Sequence, residues 1–337
     1  MNQHCILAFG LAPLLVFGQA TPTVKQAPPR GIRISAADSE QLTSRLESLG
    51  QEIETLRITL RNHPDLLTLL PDVQVFHKAV RDAVAYGEFF RPSEIDFARE
   101  QLTIGLQRST ELRIAMAPWT AARGSLVRAY RSRIDDSVQP YGLRVPEDWK
   151  PEDRQLRPLY LWFHGRNDTL SEVAFIAGQL KGRREFAPTN AFELHLYGRY
   201  CNASKFAGEA DAFEAMEDVM RHYPIDTNRI AALGFSMGGA SAWHMAAHYP
   251  GLWAVASAGA GFAETAVYAK VFDEKKEAPP LWEQTLWRLY DATSNSLQTP
   301  KLPDWAIVDL RTPPSQKWPG LIVSAGFFDD QWQLSPH

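Results

Sequence analysis

The chain has 337 residues, of which 45% are hydrophobic and 22% are charged, and its formal net charge is −4. This composition is typical of a globular protein with one large domain, or with one domain and a smaller lobe. The mild acidity and the lack of a Lys/Arg block argue against a surface for nucleic acid or for anionic membranes.

The first twenty residues, MNQHCILAFGLAPLLVFGQA, contain a short apolar run that ends in Gly18-Gln19-Ala20. The run is shorter than a membrane span and ends in a small-x-small cleavage pattern, so it predicts a signal peptide over 1–20. We therefore expect a secreted or periplasmic protein with no membrane association after cleavage. Cys201 would then be the one remaining cysteine, which leaves no intramolecular disulfide.

The next segment predicts a linker followed by helices. Residues 21–36 begin with the Pro-rich stretch TPTVKQAPPRG, which indicates a linker. Apolar residues from Leu42 to Leu60 then recur at spacings of four and three, the stripe of an amphipathic helix. Two more helical patterns, at about 72–86 and 94–112, make 37–116 an all-helical N-terminal lobe. The stripe is only about three heptads long, which favours packing onto a neighbouring domain over a coiled coil.

Residues 117–337 have the pattern of an α/β domain. GSLVRAYRSR and VQPYGLRVP predict an antiparallel strand pair, and RPLYLWFHG, AFELHLYGR, RIAALGF and LWAVASAGAG predict buried strands. Helical patterns at about 171–182, 210–222 and 238–248 separate the buried strands. Alternating strands and helices predict a doubly wound, mostly parallel sheet. Ligands bind at the carboxyl ends of such strands, where His164, residues 197–201 and Ser236 fall.

The stretch RIAALGFSMGGASAW places a Gly-x-Ser-x-Gly pentad between a predicted strand and a predicted helix. A serine on this sharp turn needs neighbours that are nearly free of side chains, and the turn lifts its hydroxyl clear of the sheet. The helix N-terminus directs free N–H groups at developing negative charge. We therefore predict Ser236 as a nucleophile.

The N–H groups of Met237 and Arg166 are the predicted oxyanion donors. Met237 follows the serine, and Arg166 follows His164-Gly165 at the end of the third strand, in the loop expected to supply the second donor. His164 itself ends an inner strand and precedes the serine, so we expect it to fix this loop rather than to act as the catalytic base.

These residues resemble the α/β-hydrolase superfamily, and within it the catalytic domains of the prolyl oligopeptidase family and related secreted bacterial esterases. The resemblance covers roughly 124–291, including YGLRVP, LYLWFHGR, YGRYCNASKFAGEADAFEAMEDV and YPIDTNRIAALGFSMGGASAWHMAAHYPGLWA. It implies acyl transfer through an acyl-serine, with no metal and no organic cofactor. The chain has no room for the β-propeller of a full prolyl oligopeptidase, so small esters are favoured over gated oligopeptides.

Three further features of the predicted cleft have two interpretations each. Arg199 is a candidate clamp for a substrate carboxylate, and the alternative is an ion pair that fixes the loop. Cys201 is a packed small residue rather than a reactive thiol. Trp282 and Trp287 would line a cap or, as their spacing favours, pack into a core.

The catalytic acid and base are the weak part of the pattern. In this fold the order is Ser, then Asp or Glu, then His. After Asp291 the one histidine is His337, and Asp309, Asp329 and Asp330 are the candidate acids, of which SAGFFDD favours Asp330. His337 lies only seven positions beyond Asp330, which leaves no room for the helix and strand expected between them.

The tail 293–337 does not resemble the family, and a reading-frame slip near Thr293 would explain this. The acid and base would then be absent. The sequence thus predicts a serine hydrolase that cleaves a carboxylic ester through acyl-Ser236, with Asp330 and His337 as acid and base. The substrate would be a small ester or a short peptide. Two alternatives stay open: a peptidase of the prolyl oligopeptidase family, and an impaired or truncated homologue that only binds.

Overall fold

A computed structural model of the chain describes residues 28–182, 188–265, 268, 281–292 and 320–324. The predicted signal peptide, the first part of the linker and most of the tail lie outside these residues. The described helices are α1 (Ala36–Thr59), α2 (Pro64–Leu67), α3 (Pro71–Tyr86), α4 (Ser93–Arg113), α5 (Glu172–Leu180), α6 (Ala207–His222), α7 (Met237–His248) and α8 (Leu281–Arg288). The described strands are β1 (Gly124–Arg131), β2 (Val138–Val145), β3 (Arg157–Phe163), β4 (Phe192–Leu196), β5 (Ile225–Phe235), β6 (Val255–Gly259) and β7 (Gly320–Ser324).

The described strands form one sheet in the order β1-β2-β4-β3-β5-β6-β7. β2 pairs antiparallel with both β1 and β4, and every pairing from β4 to β7 is parallel. The inner parallel strands alternate with α5, α6 and α7, because a parallel connection must cross over the sheet and a helix is the compact way to do so. The predicted doubly wound sheet is confirmed, including the antiparallel pair at its edge.

Alternating side chains divide the sheet into two faces with different neighbours. One face sends Leu159, Leu161 and Leu194 into a buried cluster that also contains residues of α6 and α7. The opposite face contributes Val127 and other residues to a second cluster, which contains the apolar residues of α1, α3, α4 and α5. The two clusters follow from the period-two alternation of strands.

The three long N-terminal helices lie where the periodicity predicts them. The buried stripe of α1 consists of Leu42, Leu46, Leu49, Ile53 and Leu56. It packs against α3 and α4, so the stripe is buried chiefly against the other helices of the N-terminal lobe, in the cluster that also contains sheet residues. Gly87 ends α3 with φ of 67°, a left-handed conformation that glycine adopts without steric penalty.

Asp72 joins these helices to the sheet. Its carboxylate is 1% exposed and accepts hydrogen bonds from Trp119 Nε1 (2.9 Å), Arg128 Nε (3.0 Å) and the Ala129 N–H (2.9 Å). A buried carboxylate is stable only when its charge is paired and its lone pairs are satisfied, as here. Asp72 thus holds α3 against β1. Among the helices that the structure describes, none is long and apolar enough to span a membrane.

Candidate functional site

Ser236 lies at the junction of β5 and α7, at the carboxyl end of a central strand. Its backbone has φ of 56° and ψ of −120°, and its N–H donates to the Gly259 carbonyl oxygen at 2.8 Å. A non-glycine residue in this region is strained by about 1–3 kcal/mol, and such strain is concentrated at functional sites. The turn therefore has the geometry predicted for a serine presented above the sheet.

The glycines around Ser236 are required by close backbone approach. A Cβ at Gly234 would lie under 3.0 Å from the Gly238 carbonyl, and a Cβ at Gly238 would lie under 3.0 Å from the Phe163 carbonyl. A Cβ at Gly239 would meet the Gly259 carbonyl oxygen in the same way. The tight strand-to-helix turn is possible because these three positions have no side chain.

Two predicted oxyanion donors lie next to this turn. Met237 is the first residue of α7, so its N–H belongs to the orphan donors of the first helical turn. The loop after β3 approaches from the other side, because a Cβ at Gly165 would lie 3.8 Å from Ser236 Cβ and 3.4 Å from the Phe235 carbonyl oxygen. Arg166 is the next residue of this loop, and the role of its N–H as the second oxyanion donor stays a prediction.

The Arg166 side chain is occupied by a local ion pair. Its Nε donates to Asp168 Oδ1 at 2.7 Å, and this hydrogen bond raises the pKa of the guanidinium further. The pair lies on the surface, since the Arg166 side chain is more than half exposed. The Arg166 guanidinium is therefore already paired within the loop after β3.

His164 is fixed by backbone carbonyls on both ring nitrogens. Nδ1 lies 2.8 Å from the Gly165 oxygen, and Nε2 lies 3.0 Å from the Tyr197 oxygen. Both ring nitrogens are directed at backbone oxygens, so neither is directed at the serine hydroxyl. This geometry fits the predicted role in fixing the loop and does not suit a general base.

Residues 197–206 form a strained loop beside the oxyanion loop. Arg199, Tyr200, Ala203, Ser204 and Phe206 all have positive φ, between 51° and 78°. A run of non-glycine residues in this region needs other interactions to hold it, because each costs free energy locally. Hydrogen bonds from side chains of this loop to the loop after β3 are such interactions.

Two side chains of this loop hold the peptide that follows Arg166. Cys201 Sγ accepts from the Asn167 N–H and donates to the Asn167 oxygen, both at 3.3 Å. The Tyr200 hydroxyl donates to the Asp168 oxygen at 2.8 Å. Burial raises the pKa of the Cys201 thiol, so the thiol keeps the proton it donates. We name these three hydrogen bonds of Cys201 and Tyr200 the thiol-tyrosine clasp.

Arg199 lies in a network of acidic side chains. Its guanidinium donates to Asp211 from Nε (2.9 Å), to Asp135 from Nη1 (2.6 Å) and to Ser132 from Nη2 (2.9 Å). Burial opposes the charge of Arg199, but its hydrogen bonds to Asp135 and Asp211 outweigh burial and raise its pKa. The geometry favours the loop-fixing ion pair over the substrate clamp.

A polar network behind α7 has no signature in the sequence. His244 Nε2 lies 2.5 Å from Glu209 Oε2, and the Tyr249 hydroxyl donates to Glu209 Oε1 at 2.8 Å. Burial lowers the pKa of His244. Lys205 and Thr265 both donate to the buried Asp291, at 3.2 and 2.7 Å. No motif signals these pairs, since their members are 26 to 86 residues apart.

The predicted acid and base are not placed by the structure. Asp309, Asp329, Asp330 and His337 lie outside the described residues. Within the described part of the chain, no histidine forms a hydrogen bond with Ser236. No group of three His, Cys, Asp or Glu side chains in that same part is arranged to hold a metal ion.

The prediction that both tryptophans near residue 285 are packed is wrong for Trp282, which is 66% exposed. Trp287 is partly buried. A spacing of five places two residues on different faces of a helix, so one can pack while the other faces solvent.

Comparisons with known proteins agree with this geometry over part of the chain. Residues 198–308, which include the strained loop and Ser236, match the model of the family described as "Putative esterase". No curated protein sequence matches the chain. The sheet order and the strand-serine-helix turn are those of the α/β-hydrolase fold, and the family match covers less than half of the chain.

Three solved structures resemble this chain at low identity. A thermostable esterase is 18% identical, with a TM-score of 0.35, over 63% of this chain and 58% of its own. The S-formylglutathione hydrolase of Staphylococcus aureus is 16% identical, with a TM-score of 0.41, over 62% and 82%. The acylaminoacyl peptidase of Pyrococcus horikoshii is 14% identical, with a TM-score of 0.36, over 51% and 30%. These scores are too low to carry an argument about activity.

Proposed function

We propose that this α/β-hydrolase chain cleaves a carboxylic ester by acyl transfer to Ser236. The strained backbone of Ser236 at the start of α7 carries the proposal, because this conformation presents the hydroxyl beside the first N–H groups of a helix. The N–H groups of Met237 and Arg166 would stabilise the negative charge of the tetrahedral intermediate.

In the proposed mechanism, Ser236 Oγ attacks the ester carbonyl and its proton passes to a histidine base. The alkoxide of the intermediate lies between the two N–H donors, and the alcohol leaves with the proton from the histidine. Water then hydrolyses the acyl-serine by the same route. We assign the base to His337 and the acid to Asp330, as the sequence predicts, and the protein would act after export to the periplasm or the medium.

A paired assay tests the proposal. We expect hydrolysis of p-nitrophenyl acetate and little hydrolysis of an aminoacyl-prolyl p-nitroanilide, because the described cleft has no free cationic group to hold a peptide terminus. Ser236→Ala is expected to lower kcat about a thousandfold or more. Ester turnover that survives Ser236→Ala would contradict the proposal, and preferential cleavage of the amide would favour the peptidase.

His337→Ala tests the assigned base separately. If His337 takes the serine proton, its removal lowers kcat to nearly the level of Ser236→Ala, since nucleophile and base act as one unit. Full activity of His337→Ala would show that another group is the base while Ser236 remains the nucleophile.

A further inference from the structure

A cavity of about 360 Å³ lies between α5 and the sheet, beside the proposed site. Its volume is in the range of small-molecule sites. The apolar part of its wall, which is partly aromatic, is formed by Trp162, Leu170, Ala174, Phe175, Leu196 and Phe235, and polar residues line much of the rest.

One end of the cavity reaches the oxyanion loop. Gly165 and Arg166 line this end, as does Phe235, the residue before the nucleophile. A Cβ added to Gly165 would lie 3.8 Å from Ser236 Cβ, so these two residues are close neighbours. A group attached to a carbonyl at Ser236 therefore has a direct entrance to the cavity.

The inner part of the cavity contains an amide without a partner. Gln179 of α5 is 9% exposed, and within the described part of the chain its side chain forms no hydrogen bond. It lies over Gly142 of β2, where a Cβ would clash with it. The amide lines the cavity and is available to a ligand there, so a ligand group that forms a hydrogen bond with it would gain affinity.

A buried histidine lies next to this amide. His195 lines the cavity, is 5% exposed, and pairs in the sheet with Gly142 on one side and Trp162 on the other. Its Nε2 lies 3.3 Å from Glu193 Oε2. A carboxylate only accepts hydrogen bonds, so it favours the proton on Nε2 and leaves Nδ1 as an acceptor.

The Gln179 amide and the His195 ring together match a hydroxyl group. A hydroxyl accepts a hydrogen bond from the Gln179 amide and donates one to His195 Nδ1. Glu193 is fully buried and lies 3.7 Å from Arg144 Nε and 3.3 Å from His195 Nε2, so its charge is paired within the protein and this end of the cavity suits an uncharged group.

The sheet sets the length of the group. Trp162 pairs with both His195 and Leu233, and Ser236 lies three residues beyond Leu233. Ser236 and His195 are thus about 10 Å apart along the strand direction and about 10 Å apart across two strand spacings. Their Cα atoms are therefore about 14 Å apart. A medium-length chain spans this distance.

We propose that the cavity binds the acyl chain of the ester substrate, an apolar chain of medium length whose far end carries a hydroxyl group bound by Gln179 and His195. This inference rests on the proposed function, since the chain is attached to the carbonyl that Ser236 attacks.

The first test compares p-nitrophenyl 6-hydroxyhexanoate with p-nitrophenyl hexanoate. The wild type is expected to prefer the hydroxylated ester about tenfold or more in kcat/KM, because a site built for a hydroxyl group rejects the analogue that lacks it. Gln179→Leu is expected to abolish or reverse the preference. Gln139→Leu is the matched control, since Gln139 is also buried but does not line the cavity.

Equal kcat/KM values for the two esters in the wild type, or the same preference in Gln179→Leu as in the wild type, would overturn the proposal.

A second measurement tests binding in the cavity separately from catalysis. The catalytically inactive Ser236→Ala protein is titrated with 6-hydroxyhexanamide by saturation-transfer NMR, with hexanamide as the comparison.

Stronger binding of the hydroxylated amide, lost at least tenfold in the Ser236→Ala, Gln179→Leu double variant, supports the cavity even if the ester assay fails. No difference between the two amides, or no effect of Gln179→Leu, overturns it even if Ser236 is proven to be the nucleophile. The two failures are thus distinguishable.

Discussion

The serine turn and the loop 197–206 meet at one site, but different interactions hold them in shape. In the turn, glycines at 234, 238 and 239 let backbone touch backbone, and Ser236 alone takes the strained conformation. In the loop, five non-glycine residues have positive φ, and contacts to distant parts of the chain hold them. The turn is specified locally, while the loop is specified by tertiary partners.

This difference explains what each region contributes to the proposed chemistry. The turn fixes the nucleophile and one oxyanion donor through a few consecutive residues. The loop fixes the second donor indirectly, because the thiol-tyrosine clasp holds the peptide after Arg166. Substitutions of the turn glycines should therefore remove structure and activity together, and substitutions in the loop should separate them.

The largest effect is expected from Gly238→Ala. The added Cβ would overlap the Phe163 carbonyl, and backbone on both sides leaves little room for adjustment, so we expect a loss of about 3 kcal/mol or more in the free energy of unfolding. Urea denaturation measures it. Gly178→Ala is the control, because nothing lies within 4 Å of the added Cβ in α5, and there we expect a gain of about 0.5–1 kcal/mol.

Arg199→Ala comes next. It leaves the buried Asp211 without its cation, and we expect a loss of about 2 kcal/mol, below the value for a fully buried pair because Arg199 is partly exposed. KM for a neutral ester should not change. Arg57→Ala is the control, since its ion pair with Glu54 is exposed on both sides and should contribute little. A raised KM with an unchanged free energy of unfolding would instead support Arg199 as a clamp for a substrate carboxylate.

Cys201→Ala should have a smaller effect on stability and a clear one on activity. It removes the partner of the Asn167 N–H, which we expect to lower the free energy of unfolding by about 1 kcal/mol. A displaced Arg166 N–H should lower kcat more than it raises KM. Cys201→Ser retains a donor and an acceptor and should recover most of kcat, whereas equal loss in both variants would show that the clasp does not act through hydrogen bonding.

The smallest effect concerns the reactivity of the Cys201 thiol in the folded protein and in the unfolded protein. Because burial raises the pKa of Cys201, the neutral thiol is the stable form in the folded protein, and its contribution to stability is lost as pH rises through that raised pKa. Iodoacetamide at pH 8 should therefore modify Cys201 severalfold more slowly than in urea-unfolded protein, as measured by peptide mass spectrometry. Equal rates in both states would contradict a protonated clasp.

The sequence predicted the serine turn well because each requirement lies within a few residues of Ser236. Hydrophobic periodicity similarly predicted the three N-terminal helices and the order of strand types. The clasp and the Glu209–His244 pair could not be predicted, since they depend on which distant residues the fold brings together. Gln179 and His195 were also missed, because polar residues within apolar runs give no local sign of a cavity.

Labelling with a fluorophosphonate probe tests the central claim most directly. An activated Ser236 attacks the probe, so we predict that the wild-type protein is labelled and that Ser236→Ala is not. Ser241→Ala, which changes a buried serine on the same helix, should be labelled like the wild type. A folded wild-type protein that resists the probe, or a Ser236→Ala variant that reacts with it, would contradict the assignment of Ser236 as the nucleophile.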